Sequence, residues 1–209
     1  SLWDVLLCKT PVAAIGPLQG LASLEYLDIS HTEIQSLDSL RGLKKLEQLN
    51  AQHTPVSDLS PLAGLEALKV VNLDHTQIKS LDALSGLPAL RRVYCDNTPI
   101  GKGQAMKFME ANPQCVVIYD SQALQKWWKG LGTAWKKLLK AHLQIEHTPD
   151  KADLHRVLSL TELDAHGETD LLSLAPLSRL GKLQKLDISG TGVEELAPLG
   201  DLLNLRHLN

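Results

Sequence analysis

Three histidines recur at a spacing of 22 residues, each directly before a threonine: His31-Thr32, His53-Thr54 and His75-Thr76. Imidazoles at a fixed interval, with Asp28 and Asp74 close in sequence, are the ingredients of a metal site. A metal needs ligands that converge, whereas a column produced by repetition diverges at sheet spacing. The histidines therefore read as a solvent-facing polar position copied by duplication, and no metal or cofactor is expected. The column should still answer to acid, because imidazoles charge below about pH 6.5. Other chemistry-bearing residues are no better ordered. "GKGQA" at 101–105 has two glycines and a lysine but lacks the G-x-x-x-x-G-K-[ST] spacing of a phosphate loop. No Ser/His/Asp set stands out from repeat decoration, so no catalytic residues and no enzyme activity are expected. Cys8, Cys95 and Cys115 fit no C-x-x-C spacing, which argues against zinc and a disulfide framework and favours a reducing, cytoplasmic setting.

The elements that must hold these residues are set by a repeat. Thr10, Thr32, Thr54, Thr76 and Thr98 all fall 22 residues apart, inside units such as "LASLEYLDISHTEIQSLDSLRGL" (21–43) and "LEALKVVNLDHTQIKSLDALSGL" (65–87). The shared frame is L-x-x-L-x-L-x-x-T-x-I-x-x-L-x-x-L-x-x-L. Alternation at Leu24, Leu27 and Ile29 predicts one short strand per unit, with its neighbours facing solvent. The triplet spacing of Ile34, Leu37, Leu40 and Leu43 predicts a return limb with one inward residue in three. Pro17, Pro61, Pro176 and Pro198 on that limb argue against a long helix. One coil cannot bury its leucines alone, so coils must stack, at about 4.8 Å between strands. The composition agrees: 44% of residues are hydrophobic but only 4% aromatic.

This frame resembles the leucine-rich repeat family, in the 22-residue class of bacterial internalin-like and phosphatase-regulator-like proteins. The resemblance implies an α/β repeat solenoid with short parallel strands on a concave face. Where many members carry Asn, this chain has Thr, so a ladder of hydroxyls is expected to bond the buried turns. A second series follows, "LTELDAHGETDLLSLAPLSRL" (160–180) with Thr169 and "LGKLQKLDISGTGVEELAPLG" (180–200) with Thr191. The first of these holds one extra residue between Ala165 and Thr169, a local bulge.

Between the two series the period fails. Ala105, Met106, Met109 and the Asn112-Pro113 stop suggest a helix, and "CVVIY" (115–119) a last strand. Leu124, Trp127, Trp128 and Leu131 then have helical spacing. After Gly130 and Gly132, Thr133 is placed to cap a second helix with the apolar stripe Trp135, Leu138, Leu139 and His142. Thr148 and Pro149 are placed to start a third. The expected organisation is an array over 1–120 ending in a variant repeat, a helical cap or linker over 121–157, and the start of a second array over 158–209.

The family resemblance points to a protein-binding module that uses its concave face. The open strand positions are Trp3, Asp4, Leu6 and Cys8; Tyr26, Asp28 and Ser30; Gln48, Asn50 and Gln52; Val70, Asn72 and Asp74; Arg92, Tyr94 and Asp96. A net charge of -3 gives no global field for nucleic acid, which is not an expected partner. Trp127, Trp128 and Trp135 with Lys126, Lys129, Lys136, Lys137 and Lys140 have the composition of a membrane-surface helix, but cover for a solenoid end accounts for them better. A structural alternative uses the two chain ends. Leu2 and Val5 at one, and Leu202, Leu205 and Leu208 at the other, sit at core positions without a cap, so copies would stack head to tail into a ring or filament. The same ends also fit an excerpt of a longer tandem array.

Overall fold

The computed structural model describes residues 2–209 and divides the chain into two compact units, 1–120 and 121–209. In the first, six three-residue strands follow one another in parallel: β1 (Asp4–Leu6), β2 (Tyr26–Asp28), β3 (Gln48–Asn50), β4 (Val70–Asn72), β5 (Arg92–Tyr94) and β6 (Val116–Ile118). Val5, Leu27, Leu49, Val71 and Val93 face one another across the ladder, each 22 residues from the last. Only the last step differs, because helix α1 (Lys102–Ala111) replaces the ordinary return limb and Arg92 pairs with Val116.

The inward side chains of β2, β4, β5 and β6 are completely removed from water, at Leu27, Val71, Val93 and Val117, while Val5 of β1 is half-buried. The return limbs make single 3-10 turns at Gly16–Leu18, Asp38–Leu40, Ser60–Leu62 and Asp82–Leu84. Proline fits at the start of such a turn, where no backbone N–H is needed, and Pro17 and Pro61 take that place. Leu37, Leu40, Leu43 and Leu46 close the core from this side, one column per triplet position.

The corner after each strand is held by threonine. Thr10, Thr32, Thr54, Thr76 and Thr98 donate their hydroxyls to the carbonyl three residues earlier, at 2.5–2.8 Å. The residue just before each threonine adopts a left-handed conformation, with φ of 54–58° at Lys9, His31, His53, His75 and Asn97. That conformation turns the chain out of the strand direction and towards the return limb.

The second unit begins with α2 (Ser121–Gly130), α3 (Thr133–Leu143) and α4 (Lys151–Leu158), followed by parallel strands β7 (Glu162–Asp164), β8 (Lys185–Asp187) and β9 (His207–Leu208). Trp135, Leu138 and Leu139 of α3 share one core with Val157, Leu163, Leu177 and Leu186. Two helix starts differ from the sequence expectation. Gly132, not Thr133, precedes α3, and no side chain caps it. Asp150, not Thr148, caps α4: its carboxylate accepts from the Asp153 amide at 2.9 Å, while Asp153 reaches back to the Asp150 amide. His142 is exposed, because the α3 stripe already meets the core through three residues.

The register of β7 on β8 is 23 residues, Leu163 facing Leu186, whereas β8 and β9 return to 22. The extra residue lies in the 165–171 corner. It moves Thr169 out of the hydroxyl ladder to an exposed position, so Thr191, bonded to the Ile188 carbonyl at 2.7 Å, has no threonine counterpart one coil earlier.

Candidate functional site

Three columns of side chains rise from the outward face of the first sheet, and they differ in how far the fold itself uses them. The column in the middle of the strand ends is taken up by the backbone. Asp28 accepts from the Ser30 amide at 2.8 Å, Asn50 from Gln52 at 3.3 Å and Asn72 from Asp74 at 3.1 Å. These Asx turns bend the chain out of the sheet. They also bond sideways, Asn50 to Asp28 at 3.1 Å and Asn72 to Gln52 at 3.4 Å. Asp74, 6% exposed, accepts from the Asp96 amide at 2.8 Å. Four of the residues expected to meet a partner thus hold the corners of their own coils.

The neighbouring column is more available. Asp4, Tyr26, Gln48, Val70 and Arg92 stand one per strand in direct register, half-buried or exposed. Burial and the nearby Asp28 carboxylate raise the Tyr26 phenol, which stays neutral. Arg92 lies 3.5 Å from the Tyr94 hydroxyl, so a guanidinium and a phenol share one end of the strip. Trp3, though exposed, belongs elsewhere. Its carbonyl accepts from the Glu25 and Tyr26 amides, which places it in the column of Glu25, Glu47, Lys69 and Arg91, out of phase with Asp4 and Leu6. Lys69 and Glu47 of that column pair at 2.6 Å.

The histidines do not diverge. The ring centroids of His31 and His53 are 4.3 Å apart, and those of His53 and His75 3.9 Å, with interplanar angles of 18° and 13°. The Asn97 amide nitrogen lies 3.1 Å from His75 Nε2 and ends the row. Stacked rings present their nitrogens side by side rather than to a common point. Among the described residues no group of three or more His, Cys, Asp or Glu is arranged to hold a metal ion.

The second unit does bring Ser, His and Asp together, at His166, Ser189 and Asp187. Ser189 Oγ lies 2.8 Å from His166 Nδ1 and donates to Asp187 Oδ1 at 2.5 Å. In a hydrolytic triad the imidazole stands between carboxylate and hydroxyl, ready to take the hydroxyl's proton. Here serine stands in the middle, its proton is committed to aspartate, and among the described residues no carboxylate is hydrogen-bonded to the ring. These bonds hold the Asp187 carboxyl below its usual range, with the Ser189 hydroxyl contributing most.

Trp135 Nε1 donates to the Ser173 carbonyl at 2.8 Å, and Trp127 and Trp128 are half-buried against the same core. Lys137 pairs with Glu168 at 3.6 Å. Among the described residues no helix is long and apolar enough to cross a membrane. Cys8 is exposed while Cys95 and Cys115 are buried, and burial pushes the Cys115 thiol up to about 12. Leu2 and Leu208 are exposed, Val5 and Leu205 half-buried, and Leu202 is buried in the second core.

One strand, one threonine-locked corner and one triplet-spaced return per coil define a leucine-rich repeat solenoid, and comparison with known proteins agrees. Residues 7–64 match the leucine-rich repeat family in two copies. No curated protein matches the chain. Internalin C2 (inlC2) of Listeria monocytogenes strain 4b F2365 is 22% identical, with a TM-score of 0.53 over 99% of this chain and 79% of its own. An internalin (inlF) of the same strain is 18% identical, with a TM-score of 0.50 over 97% of this chain and 52% of its own. The chain therefore spans about half the length of that internalin. The chain thus has a leucine-rich repeat fold of the internalin-like kind.

Proposed function

We propose that this chain is a non-enzymatic protein-binding module whose contacts are made by the outward strand face of residues 1–120. The observation that carries the reading is the strip Asp4, Tyr26, Gln48, Val70 and Arg92. It offers an acid, a phenol, an amide, an aliphatic group and a guanidinium at strand spacing, on a rigid base. Aromatic and arginine side chains on a fixed surface are what protein interfaces use as anchors. Asp28, Asn50, Asn72 and Asp74 keep that surface in shape more than they reach out from it.

We further read 121–157 as a helical cover for the coils of 158–209. The reading is supported by the common core of Trp135, Leu138 and Leu177 and by the bond from Trp135 to Ser173. Solenoid coils need such a cover at an end, since each coil buries its leucines only against a neighbour.

Site-specific photo-crosslinking tests the binding face. A photoreactive residue at Gln48 or Arg92 should capture a defined protein, and Tyr26→Ala should weaken the capture. The same residue at exposed Ser85, on the return limb, should capture none of it. Equal capture from both sides would overturn the assignment to the strand face.

A further inference from the structure

We propose that His31, His53 and His75 form a proton-operated switch along the edge of the first sheet, stacked while neutral and driven apart when protonated. The inference is independent of any partner and rests on three geometric facts. The rings are stacked through the whole row, at centroid distances of 4.3 and 3.9 Å. All three residues take left-handed φ angles of 54–58°, so the backbone fixes the direction in which each side chain leaves the corner. Gly167 and Gly190 occupy the corresponding place in the second unit and Asn97 the next place in the first. The corner's backbone is thus met by residues that do not titrate; the stacked imidazoles add the titration.

The charges around the row are few. Asp74 favours protonated His53, and its backbone neighbour across the sheet is Asp96. Lys9 holds the place before His31, and Asn97 follows His75. The Asn97 amide nitrogen at His75 Nε2 is satisfied by a neutral ring, since a protonated ring has no acceptor left. Partial burial and the two flanking imidazoles lower the His53 value below that of an ordinary histidine, and Asp74 offsets them only in part. A proton on His53 sets like charges ring against ring as soon as either neighbour is charged. Because the folded value is lowered, the unfolded chain takes up the proton more readily, and stability falls as pH drops through about 6.5.

The decisive measurement is an NMR titration of the imidazole Cε1 protons, paired with thermal melts at pH 7.5 and 5.5, on the whole chain and on His53→Asn. The middle ring should protonate at a lower pH than an ordinary histidine. In His53→Asn the outer rings should titrate independently, and the loss of melting temperature on acidification should shrink by several degrees. His142, His147, His155, His166 and His207 are common to both proteins and cancel in the difference. His53→Gly serves as a second variant that the corner's φ accepts. Three independent, ordinary titrations in the parent chain, or an acid loss unchanged in both variants, would sink the proposal.

Discussion

The hydroxyl of Thr54 donates to the carbonyl of Ala51 at 2.6 Å, in a corner where Thr54 is only 3% exposed. Thr54→Val keeps the shape and removes the donor, leaving that carbonyl in a site closed to water. The expected loss is about 1–3 kcal/mol, read from urea denaturation. Thr10→Val is the informative control. The bond is the same, but Thr10 is half-exposed, so water can replace the hydroxyl and the loss should be smaller.

What was legible in the sequence follows from how each feature is encoded. Strands, triplet limbs and the threonine corners are written as spacing, so the 22-residue period alone places Leu27, Leu40 and Thr32. Trp3 lies one period before Glu25, out of phase with Asp4, as the core position of Val5 already implied; the Glu25 and Tyr26 amides on its carbonyl show that place directly. The histidine stack was hidden for another reason. Spacing places the three residues in a column, but ring orientation depends on the left-handed corner, which no residue type there demanded. The Asx turns did leave a signal, an Asp or Asn two residues before each corner amide, as in Asp28-Ile29-Ser30.

Asp187 supplies a test with a definite sign. Its carboxyl is held low by the Ser189 hydroxyl first, then the Ser189 amide and Asn209. A carboxyl with a lowered folded value stabilises above its unfolded value, about 3.9, and loses that contribution as pH falls through the folded one. Asp187→Asn should therefore be less stable than the parent at pH 7, and the gap should close below about pH 4. Chemical denaturation at the two pH values reads this directly; a gap independent of pH would mean that the loss in Asp187→Asn does not come from the carboxylate's ionisation.

The order Asp187-Ser189-His166 also makes a chemical prediction. With the hydroxyl proton donated to the weakly basic Asp187 carboxylate at 2.5 Å, the His166 imidazole at 2.8 Å faces the serine oxygen without that proton to take. A fluorophosphonate probe should leave Ser189 unlabelled, and hydrolysis of p-nitrophenyl acetate should be the same for the parent and Ser189→Ala. Stoichiometric labelling at this serine would show that the bonds rearrange to a working dyad.

The inserted residue of the 165–171 corner has a counterpart one coil later, at Gly192. A methyl group there would meet the Thr169 carbonyl oxygen at 2.7 Å and Leu172 Cδ2 at 2.6 Å, the first of which is backbone and cannot swing away. The places corresponding to Gly192 in the first unit hold Pro11, Glu33, Pro55, Gln77 and Pro99, so the coil as such does not require glycine. The requirement comes from the 23-residue spacing of β7 and β8, which carries the 169–172 segment onto the next corner. Gly192→Ala should cost about 1–3 kcal/mol through overpacking. Deleting Thr169 restores the 22-residue period, and in that background the same substitution should cost much less. The coupling between the two changes, measured by denaturation of all four proteins, distinguishes a local steric clash from a general intolerance of side chains at this corner. Equal cost in both backgrounds would separate Gly192 from the insertion.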